Sequence, residues 1–266
     1  MDLLLKIKEE KISPSDFLSE LWKLSEGLKR KGAIIRAVQR IYRTRTFKHE
    51  ERPKTILNLS YPPVDKIKVG RANDIGEQIF YASANTPLTI REARVAEGQF
   101  IVMSEWLIIK DIIFQMVGIN ENQTLSEVEK ICHDIFSSTD PNTYPYSSKI
   151  ANYLLSGKEI GGIIYPSVIE KNTSHNLAIK KEFVDSNLRF SNCGLYRIDK
   201  ITDDMTFHVT ELDYATNADN GLLKWKGETR SWSGGPGTAT PDIKLIFNGW
   251  FWDAFDSDGS YIEPDK

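Results

Sequence analysis

Phe17, Leu18, Leu21, Trp22, Leu24 and Leu28 recur at spacings of one, three and four. That is the pattern of one helix face, and it predicts a helix near the N-terminus. Ser13, Pro14, Ser15 and Asp16 supply its start signals. After a break near Gly32, GAIIRAVQRIYR predicts a second helical run, so residues 1–40 read as an N-terminal helical extension. Its outer face is either solvated or a docking arm for a partner.

From 41 to about 200 the pattern mixes periods. VGRANDIGEQIFYAS predicts a turn punctuated by Gly70 and Gly76, then a short strand through Ile79, Phe80 and Tyr81. TPLTIREARVAEG predicts a helix opened by Thr86 or Pro87 and stopped near Gly98. The longest apolar stretch, residues 100–119, carries Glu105, Lys110 and Asp111. A bilayer centre would penalise Asp and Lys by about 2.5–3.5 kcal/mol each. The stretch therefore reads as buried strand and helix. SSKIANYLLSG predicts a helix ending at Gly157, GGIIYPSV a short strand stopped by Pro166, and NLAIKKEFV another strand. The order is α+β and not a regular βαβ alternation. Residues 201–266 form a C-terminal addition, with a turn-rich SGGPGTATP and a strand-like, aromatic KLIFNGWFWDAF. Its Trp225, Trp232, Trp250, Phe251 and Trp252 are packing residues or a binding surface.

Composition narrows the class. The chain has 266 residues, 40% hydrophobic and 27% charged, enough to bury a sizeable core. The net charge of −3 argues against a dedicated nucleic-acid binder. The charge is uneven: residues 1–50 carry net +5 and residues 201–266 net −7. Cys132 and Cys193 are too few for a disulfide scaffold or a four-cysteine zinc site. The opening MDLLLKIKEEK has too short an apolar run for a secretory signal. The expectation is a cytoplasmic protein with no membrane partner.

Several chemistries lack their motifs. There is no G-x-x-x-x-G-K-[ST], no G-x-G-x-x-G and no H-E-x-x-H. GGPG at 234–237 reads as a loop, and His133, His175 and His208 stand apart from metal co-ligands. DSDGSYIE resembles half a calcium loop, but Ala254 occupies the first ligand position. The expected chemistry therefore uses no metal. What stands out instead is a series of arginines, tyrosines and one glutamate: Tyr42-Arg43-Thr44-Arg45, Gly70-Arg71-Ala72-Asn73, Tyr81-Ala82-Ser83, Glu92 within TIREAR, and Tyr165-Pro166-Ser167. Singly these are a surface ion-pair member, a solvated glutamate or a core tyrosine.

Together they resemble the RES domain family. PPVDKIKVGRANDIGEQIFYASANTPLTIREARV is similar to its signature, which is named for an arginine, a glutamate and a serine. IYRTR is similar to its aromatic–Arg–x–Arg opening, and GGIIYPSV with HNLAI to its closing strand and the run after it. The resemblance implies a compact α+β fold like that of the mono-ADP-ribosyltransferase toxins. It implies NAD⁺ as substrate, consumed by hydrolysis or phosphorolysis or used to modify a protein, often in a toxin paired with an antitoxin. Carried over by motif, the catalytic set is Glu92, Arg43, Tyr81 and Ser167, and the cofactor-binding set is Arg43, Arg71, Tyr81, Ser167, Asn73 and Arg45. Residues 109–149, between Glu92 and Ser167, read as an inserted helix plus loop that shapes substrate access or contacts a partner.

The residue types suit that chemistry. Breaking the nicotinamide–ribose bond passes through an oxocarbenium-like state, which a carboxylate stabilises. The same carboxylate can orient or deprotonate the nucleophile. Arginines grip a pyrophosphate by bidentate hydrogen bonds. Tyr81 offers an aromatic face for nicotinamide, and Ser167 a hydroxyl donor or acceptor. Asn73 holds the Arg71 loop or simply makes a turn. The expected function is NAD⁺ degradation by a toxin or defence effector, with an antitoxin or regulatory protein as partner. The rivals are a protein mono-ADP-ribosyltransferase and a catalytically inactive interaction module.

Overall fold

The computed structural model describes residues 3–25, 31–119, 125–169, 174–202, 206–228, 244–248, 251–255 and 261–262. Of the last three strands, only the backbone is described. Along the chain run α1 (Leu3–Lys8), α2 (Pro14–Leu24), β1 (Lys31–Ile35), β2 (Arg40–Phe47), β3 (Ile79–Ala82), α3 (Thr86–Glu92), β4 (Phe100–Ile108) and β5 (Ile112–Met116). Then follow α4 (Glu127–Phe136), α5 (Tyr144–Leu154), β6 (Ile160–Pro166), β7 (His175–Lys180), α6 (Lys181–Asn187), β8 (Leu188–Ile201) and β9 (Phe207–Asn217). The last strands are β10 (Leu223–Trp225), β11 (Lys244–Asn248), β12 (Phe251–Phe255) and β13 (Tyr261–Ile262). The α+β class and the N-terminal helices are as expected.

The chain forms two compact units, each assembled from three separate stretches. The first takes Met1–Gln39, Tyr61–Ala82 and Ile108–Leu188. It holds a five-stranded sheet ordered β1-β5-β6-β7-β3, in which β5 and β6 are parallel and the other pairs antiparallel. The parallel pair requires a crossover, and α4 and α5 supply it. Helix α2 starts where its signals place it: the Ser13 hydroxyl accepts a 3.1 Å hydrogen bond from the Asp16 amide. Its Phe17 and Leu21 are fully buried, each worth roughly 1.5–3 kcal/mol. They join Ile131, Ile135, Phe136, Ile150 and Ile163 in one core, so the N-terminal helices are part of this unit's interior.

The second unit takes Arg40–Ser60, Ser83–Leu107 and Arg189–Lys266. Its eight-stranded sheet runs β13-β12-β11-β9-β8-β4-β2, with β10 paired to β9. Ile90, Ile101, Tyr196, Ile198, Phe207 and Val209 form a core here. Asp213, 1% exposed, accepts from Arg52 Nε at 2.6 Å and from the amides of Tyr214 and Gly227 at 2.8 and 2.9 Å. Trp225 Nε1 donates to the Pro53 carbonyl at 2.8 Å. Trp232, Trp250, SGGPGTATP and residues 256–260 of the half calcium loop lie outside the described residues.

Five expected elements are corrected. Residues 32–43 form no helix: they make β1, a turn, and the start of β2. The β-branched pairs suit strands, and in-register pairing to β5 and β4 overrides a helical spacing that 12 residues can mimic. The turn is held by Asp111, whose carboxylate accepts from the Ala37 amide at 2.8 Å and from Arg36 at 2.6 Å. Those two donors, the amide first, hold the Asp111 carboxyl below the usual range. Residues 100–119 are two strands, β4 and β5, not strand and helix, because both apolar runs are short and have a sheet to pair into. It follows that the stretch 109–149 is more than helix plus loop, since it supplies β5. The NLAIKKEFV strand stops at Lys180 and continues as α6. Helix α3 ends at Glu92, six residues before Gly98, because Arg94 turns into the left-handed region (φ 50°). The chain then returns to the sheet, the Gly98 amide donating to the Ile198 carbonyl at 2.8 Å.

Both cysteines are buried. Burial, then the nearby Glu129 charge, pushes the Cys132 thiol up to about 12. Native protein at pH 8 is expected to leave Cys132 unalkylated by iodoacetamide over hours, with full labelling after denaturation. Rapid native labelling at Cys132 would contradict this packing.

Candidate functional site

The expected residues divide between the units: Arg71, Asn73, Tyr81 and Ser167 in the first, Arg43, Arg45 and Glu92 in the second.

In the first unit β3 and the Gly70–Asn73 loop form one construction. Tyr81 pairs with Ala178 across β3 and β7, at the sheet edge. Its hydroxyl donates to Asn73 Oδ1 at 2.7 Å and accepts from the Ala72 amide at 3.0 Å. Asn73 Nδ2 in turn donates to the carbonyls of Lys68 and Asp74, both at 2.9 Å, and the Gly70 amide donates to the Asn73 carbonyl at 3.0 Å. Asn73 thus ties the Arg71 loop together, the first of the two expected roles. A Cβ on Gly70 would lie 2.5 Å from Asn73 Oδ1 and 2.9 Å from the Tyr81 hydroxyl, so the packing of this loop requires glycine.

Tyr81→Phe removes both anchors and leaves Asn73 and Ala72 without them. The expected cost is about 1–3 kcal/mol. At 2–4 °C per kcal/mol, that is roughly 2–12 °C of melting temperature. A calorimetric scan that superposes on wild type would show that the hydroxyl carries no load.

Arg71 projects from this loop. Its Nη2 donates to the Ser138 carbonyl at 3.0 Å, and its guanidinium carbon stands 5.0 Å from the centre of the Tyr144 ring. Its Nε–H is buried with no hydrogen-bond partner. Ser138 and Tyr144 belong to the stretch read as an insertion, and the sequence reading missed both. The one signal was an aromatic beside Pro145 at a helix start. Ser167 lies immediately after β6 and is fully buried. Its hydroxyl accepts from the Ile169 amide at 3.0 Å, and its own amide donates to the Ser174 carbonyl at 2.9 Å.

In the second unit the arginines ride on β2, the last strand of its sheet. Arg43 is opposite Ser104 and Arg45 opposite Val102. Alternation puts the two on one face of β2 and Thr44 on the other. The Ser104 hydroxyl donates to the Arg43 carbonyl at 3.1 Å, and Trp106 Nε1 donates to that hydroxyl at 3.0 Å. Arg45 donates to the Asn58 carbonyl, and burial lowers its affinity for its proton. Burial, then Glu105, raises the neighbouring Tyr42 phenol.

Glu92 is the half-buried last residue of α3. Two contacts lock α3 to β2. Tyr42 and Ser83 exchange backbone hydrogen bonds of 2.8 and 3.0 Å just before the helix. Inside it, the hydroxyls of Thr44 and Thr89 meet at 2.7 Å. Thr89 also donates to the Thr86 carbonyl at 2.8 Å, which makes Thr44 the donor of the pair. Asn85 caps the helix by accepting from the Leu88 amide at 3.1 Å. A hollow of about 340 Å³ lies beside these elements, lined by Thr44, Arg45, Thr46, Phe47 and Ala93.

Each group of residues can therefore present fixed charge: a guanidinium on a braced loop in one unit, two guanidinia and a carboxylate on two coupled elements in the other. Among the described residues no group of three His, Cys, Asp or Glu converges to hold a metal ion. No described helix is long and apolar enough to cross a membrane.

No curated protein matches the sequence. Among solved structures, a chain from the crystal structure of the M. tuberculosis MbcT–MbcA toxin–antitoxin complex is similar at 10% identity and a TM-score of 0.42, over 65% of this chain and 90% of that one. The family model of the RES domain matches residues 36–189, more than half of the chain and a span that contains all seven expected site residues. On that match, the chain belongs to the RES domain family.

Proposed function

We propose that this protein degrades NAD⁺ by cleaving the bond between nicotinamide and ribose, with water or phosphate as acceptor, as a toxin or defence effector that depletes the cofactor. The observation that carries the reading is the RES match over 36–189, a span that contains Arg43, Arg71, Tyr81, Glu92 and Ser167. In this reading the Glu92 carboxylate opposes the positive charge that grows on the ribose as nicotinamide leaves. It also orients the incoming nucleophile. The family resemblance assigns Arg71, and likewise Arg43 and Arg45, to cofactor binding, and a guanidinium suits a pyrophosphate by bidentate hydrogen bonding. Asn73 keeps the Arg71 loop in shape. Tyr81 commits its hydroxyl to that loop, so its contribution to nicotinamide binding is its ring face. Ser167 offers its hydroxyl. No step needs a metal, and an antitoxin or regulatory protein is the natural partner of such an activity.

The test is a time course of purified protein with NAD⁺, with and without phosphate, the products separated by chromatography. Nicotinamide with ADP-ribose means hydrolysis, and a phosphorylated ADP-ribose means phosphorolysis. Transfer of label from adenylate-labelled NAD⁺ to protein would replace the proposal with ADP-ribosylation. Intact NAD⁺ and no label transfer would reject enzymatic function and leave an interaction module.

A further inference from the structure

Arg71 is held from outside its own loop. The contacts come from Ser138 and Tyr144, towards the end of the stretch that looks like an insertion. Tyr144 places its ring 5.0 Å from the Arg71 guanidinium carbon. The Ser138 carbonyl takes an Nη2 hydrogen at 3.0 Å, and among the described residues it is the one hydrogen-bond acceptor on that guanidinium. The loop itself is moored to the same helix a turn further on. Asp74, next to Asn73, accepts from the Ser148 hydroxyl at 2.7 Å, from Asn152 Nδ2 at 3.2 Å and from Lys149 Nζ at 3.3 Å. Helix α5 therefore fixes the loop at Asp74 and the guanidinium at Tyr144.

An aromatic face holds a guanidinium without consuming its N–H donors, which lie in the guanidinium plane. A carboxylate in the same place would fix the group equally well but cancel its charge and occupy its donors. The arrangement found here leaves Arg71 cationic, orientated and with donors to spare. Those are the requirements for binding a phosphate group with little loss of side-chain entropy.

We propose that Tyr144 is a positioning residue for the NAD⁺ pyrophosphate: it acts through Arg71, by stacking on the guanidinium and pre-orienting it. The inference rests on the proposed NAD⁺ function. It adds to that function a residue of α5 that no motif of the family resemblance included.

The test compares Tyr144→Leu with Tyr144→Phe in the full-length protein. One readout is NAD⁺ affinity by calorimetry beside the steady-state KM and kcat. The other is the Arg71 Nε–H signal in ¹H–¹⁵N spectra, assigned by its disappearance in Arg71→Lys. Tyr144→Leu is expected to weaken NAD⁺ binding about tenfold and raise KM in parallel, with kcat within about twofold, the scale of one lost cation–π contact. Its Nε–H signal should lose its ring-current shift and exchange faster with water. Tyr144→Phe, which keeps the ring, should match wild type in affinity and in the spectrum.

An unchanged Nε–H signal in Tyr144→Leu overturns the proposal. So does an unchanged affinity, or a fall in kcat with KM intact. If wild-type protein binds no NAD⁺, the proposed function fails. The spectrum then decides by itself whether Tyr144 holds Arg71.

Discussion

Glu92→Gln is expected to leave a folded protein that has lost at least about 10²–10³-fold of its NAD⁺ turnover, the usual loss when one electrostatic stabiliser of a transition state is removed. The substitution changes the volume hardly at all. Glutamine can still hydrogen-bond, so the difference isolates the charge. The fold should tolerate it, because α3 is held by its Asn85 cap, by Ile90 in the core and by the Thr44–Thr89 contact, none of which involves the carboxylate. Melting temperature and circular dichroism should match wild type while KM moves little. Wild-type turnover in this variant would remove Glu92 from the chemistry and the mechanism with it. A large fall in melting temperature would mean that the carboxylate is structural.

Gly162→Ala is the substitution with the largest expected effect on the fold. Gly162 sits in β6, the middle strand of the five-stranded sheet, opposite Phe114 on one side and Ile179 on the other. A Cβ there would come within 2.5 Å of Phe114 Cε1 and 2.6 Å of the Ala178 carbonyl oxygen. The ring could turn aside, but the carbonyl belongs to the paired strand and can only move with the sheet. Overpacking of this kind costs about 3 kcal/mol or more. The melting temperature should fall by roughly 6–12 °C. Gly161→Ala makes the comparison: the atoms nearest its new Cβ belong to the side chains of Ile112 and Phe183, which can shift without moving a strand, so it should cost less. Equal melting temperatures for Gly162→Ala and wild type, or a larger loss for Gly161→Ala, would contradict the strand packing described here.

Local features were legible in the sequence wherever the physics is local. Ser13 caps α2, a strand ends at Pro166, and Ile79-Phe80-Tyr81 is a strand, each as its own residues indicate. What escaped was anything decided by a distant partner. Ile34 and Ile35 carry helical spacing, yet they pair with Ile113 and Ile112 nearly eighty residues away. The division of 41–200 between two units was invisible for the same reason, since no composition shift marks Ser60, Ala82 or Leu107. The candidate site shows the same divide. Short motifs picked out Arg71, Asn73 and Tyr81. They were silent on what joins these residues, the Tyr81 hydroxyl and Asn73 amide, and on Ser138 and Tyr144, which sit more than sixty residues from the motif they support.

The core around α3 has a consequence for a chain still emerging from the ribosome. Ile90 and Ile101 find their buried neighbours in Tyr196, Ile198, Phe207 and Val209, all of them translated long after Glu92. Until β8 and β9 have been made, the helix that carries Glu92 has β2 beside it but lacks the core partners of Ile90, and a helix of seven residues is not stable in water by itself. The core that seats this helix is therefore complete only once the chain has been translated past Val209.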